Sequence, residues 1–335
     1  MEAQSQEVAA LLRKIAGLHA AIAKLPSLST SPEVVALFTE LVDVAKLGPE
    51  EEQRMRAELV RLCSDAEARL EERYSDEVAA ADRPLDHLGR FPYLRSYVRL
   101  SYLEHGMLAR YAPGLASPAR VAFVGSGPLP LGSLVLAARH MPCALFDGYD
   151  RCGAASDRAR RLVRTVAAAA GGGEDVGVGA RMSFRTTDVT DLQARDLAVY
   201  DVVFLAAAVG GATAAEKAVV VAHLGRHMAA GAALVVRSAL CAVVEPEVVS
   251  RAGFDVLAMC HPDDEGINSV ILARKAANGP RRNGNTPAPH VVSSPCGCSK
   301  ADASARPRGG KGGVRKRPPR SCQLDAINET RRRAW

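Results

Sequence analysis

Residues 119–276 alternate between short β-rich runs and alanine-rich helical stretches, and this alternation restricts the possible folds more than any other feature. The β-rich runs occur at 120–124, 143–147, 201–206, 233–237, 254–259 and 269–273. Helical stretches lie between most of them, as the crossovers between parallel strands require. The pattern predicts an α/β domain built on a doubly wound, mostly parallel sheet.

The chain on either side of this domain has a different character. Residues 1–118 are predicted to be helical, because apolar residues recur there at the spacing of one helix face. The first such stripe consists of Val8, Leu11, Leu12, Ile15, Leu18 and Ile22. Residues 277–335 lose this periodicity and are dominated by Pro, Gly, Arg and Ser, so we expect a disordered tail.

The positive charge of the chain is concentrated in this tail. The net charge is +6, but the residues from Lys300 onward contain 11 Lys and Arg against 3 Asp and Glu, so the remainder is slightly acidic. The run Arg315–Arg320 is compatible with nucleic-acid contact or a nuclear address, and a solvated tail is the simpler interpretation. We therefore expect no nucleic-acid partner for the folded part.

The apolar runs, the N-terminal segment and the cysteines bear on where the protein is located and whether it binds a metal. No run of about 18 uncharged apolar residues occurs, so no membrane span is expected, and the N-terminal segment does not resemble a secretory leader. Most of the 8 cysteines lie in apolar segments, as free thiols in a reducing compartment do. Cys296-Gly297-Cys298 is a weak metal motif, and no metal site is predicted. We expect a cytoplasmic protein, and leave vesicle association and a homodimer open.

A glycine turn follows the first β-rich run, in the sequence RVAFVGSGPLPLG. Gly125 and Gly127 resemble the start of a dinucleotide-binding loop, in which backbone N–H groups hold a pyrophosphate. Here Pro128 and Pro130 stand where such a loop needs donors, and proline has no N–H. The turn is therefore predicted to hold an adenosine without phosphates, as in S-adenosylmethionine and its relatives.

Acidic residues near the ends of the following strands support an adenosine site. Asp147 lies 20 residues after Gly127, where a carboxylate commonly accepts hydrogen bonds from ribose hydroxyls. Asp188 is placed to accept the adenine amino group. The full predicted adenosine site consists of Gly125, Ser126, Gly127, Asp147, Asp150, Thr187, Asp188, Val189, Ala206 and Ala207. A structural turn in another α/β enzyme is the alternative.

A carboxylate lies within the apolar stripe of the helix FPYLRSYVRLSYLEHGMLARY, predicted over about 92–111. Glu104 occupies the middle of the stripe, and Tyr93 and Tyr97 share its face. Burial would raise the pKa of such a carboxyl into the range useful for acid–base catalysis. The alternative is a structural salt bridge to an arginine elsewhere in the chain.

The helix that begins near Pro49 has carboxylates beside its apolar face. Glu67 flanks this face and is interpreted as functional or structural with equal weight. Glu71, four residues further on, is expected to be a solvated flank residue. Arg237, at the end of a β-rich run, is expected either to bind a substrate carboxylate or to be an exposed charge.

Several segments taken together resemble the nicotianamine synthase family, plant type. They are FPYLRSYVRLSYLEHGMLARY, VAFVGSGPLPL, FDGYD, TTDVTD, YDVVFLAAAVG, HMAAGAALVVRSA and HPDDEGINSVILARK, in this order. The resemblance covers roughly residues 1–276, and in the tail only PCGCSK matches the family. Gly148 within FDGYD replaces a residue that is usually asparagine in the family.

The resemblance implies a Rossmann domain of the S-adenosylmethionine-dependent methyltransferase type at 119–276, with an N-terminal helical cap at 1–118. It implies that three S-adenosylmethionine molecules are condensed by 3-amino-3-carboxypropyl transfer, giving nicotianamine, a chelator of iron, zinc and copper, and methylthioadenosine. No cofactor is expected beyond this substrate. The family also implies a catalytic glutamate and tyrosine, which we match to Glu67 and Tyr93, with Glu104 and Tyr97 as the second pair.

Two other functions remain alternatives at this point. A methyltransferase would use the same adenosine site, but it would release S-adenosylhomocysteine. A nucleic-acid-binding protein would act through the basic tail, and would lose its affinity when that tail is removed.

Overall fold

The structure is a computed structural model that describes residues 53–169, 177–210, 213–239, 244–261, 268–277 and 290–292, together with isolated positions between 14 and 40. One compact unit spans Met1–Ser294. Most of the predicted helices before residue 53 lie outside the described residues. Leu18 and Ile22, from the first apolar stripe, are described and buried, as their spacing predicts.

Eight strands and eight α-helices make up the described fold. The helices are α1 Gln53–Ala79, α2 Pro84–Leu88, α3 Leu94–Tyr111, α4 Leu131–Arg139, α5 Gly153–Ala169, α6 Ala194–Leu197, α7 Ala214–His227 and α8 Pro246–Arg251. The strands are β1 Arg120–Val124, β2 Leu145–Asp150, β3 Met182–Thr186, β4 Val202–Leu205, β5 Ala233–Ala239, β6 Phe254–Cys260, β7 Asn268–Lys275 and β8 His290–Val292. The predicted doubly wound α/β architecture is confirmed.

All eight strands form a single sheet in the order β3-β2-β1-β4-β5-β7-β6-β8. Strands β1 to β5 run parallel, and β7 is antiparallel to both β5 and β6. The strand order reverses between β1 and β4, and ligands of open α/β sheets bind at such a point, beyond the carboxyl ends of the strands. The topology therefore locates the site before any side chain is considered.

Two apolar layers cover the sheet, because both faces of a parallel sheet are buried. One layer joins the sheet to α1, α3 and α4, through residues that include Leu70, Met107 and Phe146. In this layer the rings of Phe123 and Phe204 stack with their centroids 5.4 Å apart. The opposite layer is formed with α7 and α8. The described helices α1 to α3 thus lie on one face of the sheet, and the predicted domain boundary at residue 118 stays a prediction.

Three elements differ from the prediction. Strand β3, Met182–Thr186, is not among the predicted β-rich runs, although it forms one edge of the sheet. Strand β2 begins at Leu145 and ends at Asp150, three residues later than the end of the predicted run. Strand β8 lies in the segment predicted to be disordered and pairs in parallel with β6. Its sequence, His290-Val291-Val292, contains two β-branched residues, and β6 offers an open edge, so these three residues gain ladder hydrogen bonds despite their polar surroundings.

Candidate active site

The glycine turn after β1 is tight, and its backbone donors are already occupied. Gly125 and Gly127 have φ angles of +80° and +67°, which glycine adopts without strain. The N–H groups of Gly125 and Ser126 both donate to the carbonyl of Tyr149, and the N–H of Gly127 donates to Asp150 Oδ2 at 2.9 Å. These bonds join the end of β1 to the end of β2.

This turn is unsuited to binding a phosphate. Three of its N–H groups bond within the protein, and Pro128 and Pro130, which have none, are buried directly before α4. An anion site at a helix N-terminus needs free backbone donors. The geometry thus supports the sequence argument that the ligand at this turn carries no pyrophosphate.

Asp150 occupies the position at the end of β2 that the sequence analysis gave to Asp147. Its Oδ1 accepts from the N–H of Cys152 at 2.8 Å, and its Oδ2 accepts from Gly127, so the carboxylate is fixed at the rim of the crevice. Each oxygen retains a second lone pair for a hydroxyl group. Asp150, itself a predicted site residue, is therefore the carboxylate at the end of β2 that keeps acceptor capacity for a hydroxyl group.

The role predicted for Asp147 requires a correction. Asp147 lies inside β2 and is buried on the face of the sheet that carries Tyr200 and the layer of α7 and α8. Its carboxylate accepts hydrogen bonds from Arg120 Nη2 at 2.8 Å, from Tyr200 OH at 2.9 Å and from Ser183 Oγ. Burial alone would raise the pKa of this carboxyl, but the hydrogen bonds outweigh burial and hold the pKa below its usual value. The motif spacing misled because β2 ends three residues later than predicted, so Asp147 is a structural residue.

The end of β3 contributes three predicted site residues. The N–H of Thr187 donates to the carbonyl of Asp150, which holds the two strand ends together. Asp188 is half-buried and accepts from both the N–H and the hydroxyl of Thr190; these bonds lower its pKa. Val189 packs into the core layer of α7 and α8, so its side chain is a core residue.

The end of β4 is held by a lysine that the sequence analysis missed. Lys217, in the first turn of α7, is fully buried and donates to the carbonyl oxygens of Ala206 and Ala207 at 2.7 Å each and of Val209 at 3.2 Å. Burial, and then the charge of Arg237, lower the pKa of Lys217 to about 7. The sequence did contain a signal for this residue. A lysine in the first turn of a helix is unfavourable because its charge opposes the helix dipole, which indicates that another group compensates for it.

Helices α1 and α3, called the cap helices below, bring a carboxylate and a phenol to the glycine turn. Glu71, on α1, accepts a hydrogen bond from Tyr97 OH, on α3, at 3.0 Å. A Cβ atom added to Gly127 would lie 2.8 Å from Glu71 Oε2, so the second oxygen of this carboxylate reaches the turn itself. Glu71 was predicted to be a solvated flank residue, and that prediction is wrong.

The surroundings of Glu71 make it a stronger base than an ordinary glutamate. Burial, and then the negative charge of Glu67, raise the pKa of Glu71 well above its usual value, and Asp150 adds to the effect while the bond from Tyr97 opposes it. Burial and the same two glutamates raise the pKa of Tyr97, so its hydroxyl stays protonated as a donor. Glu71 was missed because the surface that covers it comes from a turn 54 to 56 residues further along the chain.

Glu67 lies one helical turn before Glu71. Its side chain has solvent-accessible surface, and yet desolvation raises its pKa. The negative charge of Glu67 in turn helps to raise the pKa values of Glu71 and Tyr97. Tyr93 stands at the start of α3 and is half-buried, with its ring edge-on to Phe91 at a centroid distance of 5.8 Å.

Glu104 and Arg237 form a buried bidentate ion pair. Arg237 Nε donates to Glu104 Oε1 at 2.6 Å and its Nη2 donates to Oε2 at 2.8 Å. The side chains are 0% and 5% exposed, and the guanidinium lies 4.8 Å from the ring centroid of Phe123. A carboxylate with both oxygens bound to arginine does not serve as a proton acceptor, so the catalytic role predicted for Glu104 is replaced by the salt bridge that was its alternative. Arg237 is buried and paired with Glu104, so the expectation of an exposed charge is wrong.

Two further residues of the turn region have defined surroundings. Ser126 is buried, and among the described residues no group hydrogen-bonds its hydroxyl oxygen, which leaves this group available to a ligand. A Cβ atom at Gly148 would lie 2.5 Å from Phe184 Cδ1 and 3.0 Å from Ser126 Cβ. A larger residue at this position would therefore require Phe184 to move.

The strand order and the phosphate-free turn place the chain in the class of Rossmann-like transferases that use S-adenosylmethionine. Comparison with known proteins gives the particular family. A family model described as "Nicotianamine synthase protein" matches residues 3–279. The chain therefore belongs to the nicotianamine synthase family, as its sequence motifs indicated.

Individual relatives agree with this assignment. The chain is 62% identical over 324 residues to nicotianamine synthase 2 of Oryza sativa subsp. japonica, covering 91% of this chain and 95% of the relative. It is 57% identical over 318 residues to nicotianamine synthase 8 of Hordeum vulgare, covering 88% and 93%. A crystal structure of MtNAS in complex with MTA and tNA shares the fold, with a TM-score of 0.59 and 17% identity over 81% of this chain and 98% of that chain.

The described residues contain no group of three or more His, Cys, Asp or Glu side chains arranged to hold a metal ion. None of the helices described has the length and apolar character needed to cross a membrane.

Proposed function

We propose that this chain condenses three molecules of S-adenosylmethionine into nicotianamine by successive 3-amino-3-carboxypropyl transfers, releasing three molecules of methylthioadenosine. The observation that carries this proposal is the placement of Glu71 and Tyr97 against a glycine turn that lacks free phosphate donors. The relatives of the chain, named nicotianamine synthases, support the same reaction.

Each transfer makes one C–N bond and breaks one C–S bond. The lone pair of an amino nitrogen attacks the carbon that joins the aminocarboxypropyl chain to sulfur, and the bonding electrons leave with sulfur, which becomes the neutral thioether of methylthioadenosine. Two transfers join separate molecules, and the third closes the azetidine ring. The sulfonium needs no further activation, so the protein mainly has to align the amine behind the carbon and exclude misaligned poses.

The attacking amine must lose a proton before it can react, because an α-amino group of an amino acid is an ammonium at neutral pH. Glu71 is the residue we assign as the general base. Its raised pKa brings it closer to the pKa of the amine than an ordinary carboxylate would be, which favours proton transfer. Tyr97, hydrogen-bonded to Glu71 Oε1, fixes the carboxylate so that the other oxygen faces the turn.

The remaining carboxylates suit a cationic substrate. Glu67 and Asp150 both act electrostatically on Glu71, so Glu71 is the centre of a group of three acidic residues. S-adenosylmethionine carries a sulfonium and an ammonium, and each would be stabilised there. We assign Asp150 to the ribose hydroxyls, Ser126 to the same ligand through its unpaired hydroxyl, and Glu67 to the ammonium end. Tyr93 is assigned to the wall of the cavity.

The competing methyltransferase reaction would need a separate acceptor, whereas the proposed reaction needs only S-adenosylmethionine. Incubating the pure protein with S-adenosylmethionine alone and analysing the small molecules by mass spectrometry separates the two. We expect methylthioadenosine and nicotianamine in a ratio of three to one. Release of S-adenosylhomocysteine, or no turnover without an added acceptor, would overturn the proposal.

The biological setting is proposed from the same reaction. Nicotianamine presents amino and carboxylate groups in one flexible chain, which suits chelation of iron, zinc and copper. We propose that the chain works in the cytoplasm in metal homeostasis, with S-adenosylmethionine as its ligand and without a nucleic-acid partner.

A further inference from the structure

Lys217 is a buried cation that the proposed chemistry does not use. It lies in the first turn of α7 with no exposed side-chain surface, and all three of its N–H donors are directed at carbonyl oxygens. A buried ammonium is costly unless it is fully hydrogen-bonded, and a methionine or leucine would fill the same volume without that cost. The lysine therefore does something that an apolar residue would not do.

The three acceptors all belong to one short loop. They are the carbonyl oxygens of Ala206, Ala207 and Val209, which follow β4 directly. Here the strand has ended and its carbonyls have lost their ladder partners, so they bond to other donors; the carbonyl of Ala206 also accepts from the N–H of Val209 at 3.3 Å. One ammonium supplies donors to all three and so fixes the path of the loop.

This loop forms a wall of the crevice. A Cβ atom at Gly125 would lie 2.2 Å from Val209 Cγ2 and 3.0 Å from Ala206 Cβ, so the loop is in contact with the glycine turn. The contact lies between the ends of β1 and β4, where the strand order reverses. A shift of the loop by even one ångström would change the shape of the adenosine site.

We propose that Lys217 is a positioning residue for S-adenosylmethionine, acting through the loop Ala206–Val209, which its ammonium holds against the glycine turn. This inference rests on the proposed function for the identity of the ligand. It predicts a defect in substrate binding and not in the chemical step, because Glu71 and Tyr97 lie on the cap helices and not on the loop.

The first test compares Lys217→Met with Lys275→Met. Lys275 is a half-buried lysine on β7 that donates to the carbonyl of Gly253, away from the crevice, and it serves as the matched control. We expect Lys217→Met to weaken S-adenosylmethionine binding, measured by titration calorimetry, and to raise KM, each by about tenfold or more, with kcat at saturation nearly unchanged. Lys217→Arg should recover part of the affinity, and Lys275→Met should match the wild type.

A second pair of variants disturbs the same contact without removing the lysine. Gly210 has a φ angle of +92°, and an added Cβ would lie 2.7 Å from the Cα of Lys217. Gly231 has a φ angle of +86°, but nothing lies within 4 Å of its added Cβ. Both alanine variants carry the same backbone strain, so only Gly210→Ala should weaken substrate binding.

The outcomes separate this inference from the proposed function. Unchanged affinity in folded Lys217→Met, or equal affinity in the two glycine variants, would overturn the inference. If Lys217→Met does not fold, the two glycine variants alone decide. A wild-type protein that binds S-adenosylmethionine but makes no nicotianamine would overturn the proposed function, and the binding comparison would still test Lys217.

Discussion

Among single residues, Glu71 is the one on which the proposed function depends most. The carboxyl joins the two walls of the site, because one oxygen accepts from Tyr97 on the cap and the other approaches the glycine turn after β1. Its neighbour Glu72 lies on the same helix but points to a different partner, Arg158, at 3.4 Å. Two adjacent glutamates thus have separate roles.

Replacement of Glu71 by glutamine should lower kcat by about 10²- to 10⁴-fold, because the amide keeps the shape of the side chain and cannot accept the proton of the ammonium. Methylthioadenosine release measures the rate, and circular dichroism checks the fold. Glu72→Gln is the matched control and should turn over at the wild-type rate. Wild-type turnover in folded Glu71→Gln would remove the assignment of the base.

The pH dependence of the reaction should report on the pair of glutamates. A base works only when deprotonated, so a raised pKa of Glu71 places the acid limb of the profile at higher pH than an ordinary glutamate would. The negative charge of Glu67 contributes to that raised pKa. Glu67→Gln removes the charge, so the pKa of Glu71 should fall and the acid limb of kcat/KM should move to lower pH. An unmoved limb would show that Glu67 does not act on the base.

Among the elements, α3 and β5 are joined by a buried ion pair on which we expect much of the stability of the fold to depend. It contains the buried pair of Glu104 and Arg237, and Arg237 also lies over Phe123 on β1. The positive charge of Arg237 acts on Tyr97, which belongs to the proposed catalytic pair, and opposes the rise in the pKa of Tyr97. The ion pair therefore fixes the cap helix that carries Tyr97 to the sheet that carries the glycine turn.

Breaking this pair should destabilise the protein strongly. Glu104→Gln leaves a buried guanidinium without its counter-charge, and we expect the free energy of unfolding to fall by about 3–5 kcal/mol in chemical denaturation. Replacing both partners together, Glu104→Leu with Arg237→Met, should cost less than the single change, since no charge is stranded. Glu77→Gln, at the exposed pair with Arg73, is the control, with an expected change of at most about 1 kcal/mol. A Glu104→Gln protein as stable as the wild type would contradict this role.

For the whole molecule, the compact unit is longer than the predicted domain. It extends to Ser294, beyond the predicted end of the sheet domain at 276, and it includes β8, which pairs with β6. His290 on β8 also stacks on Tyr111, at the end of α3, with ring centroids 5.0 Å apart. Residues 290–292 therefore pack against the sheet and α3, although they lie in the segment predicted to be disordered.

Removal of the residues after Ser294 should leave nicotianamine synthesis intact, because the truncated chain keeps β8 and the whole site. Truncation after residue 280 should be less stable, since it removes the strand that covers the edge of β6. Thermal unfolding and the product assay compare the two. Loss of synthesis on truncation after Ser294 would assign a catalytic role to the basic tail, and loss of nucleic-acid affinity alone would support the tail-binding alternative.

The sequence by itself determined the class of fold, the phosphate-free turn and the family. These depend on local information: strand and helix periodicity, the missing N–H groups of Pro128 and Pro130, and motifs in a fixed order. It also placed Tyr97 on the inner face of its helix, because helical spacing needs no knowledge of the rest of the chain.

Only the tertiary structure decided which acidic residues work in the site. Asp147 and Asp150 differ in role because of where β2 ends, and Glu104 and Glu71 differ because one meets Arg237 and the other meets the turn at Gly127. Lys217 likewise gains its role from carbonyls of the preceding loop. A carboxylate or an ammonium takes its chemistry from the charges and donors around it, and those neighbours arrive from distant parts of the chain only when it folds.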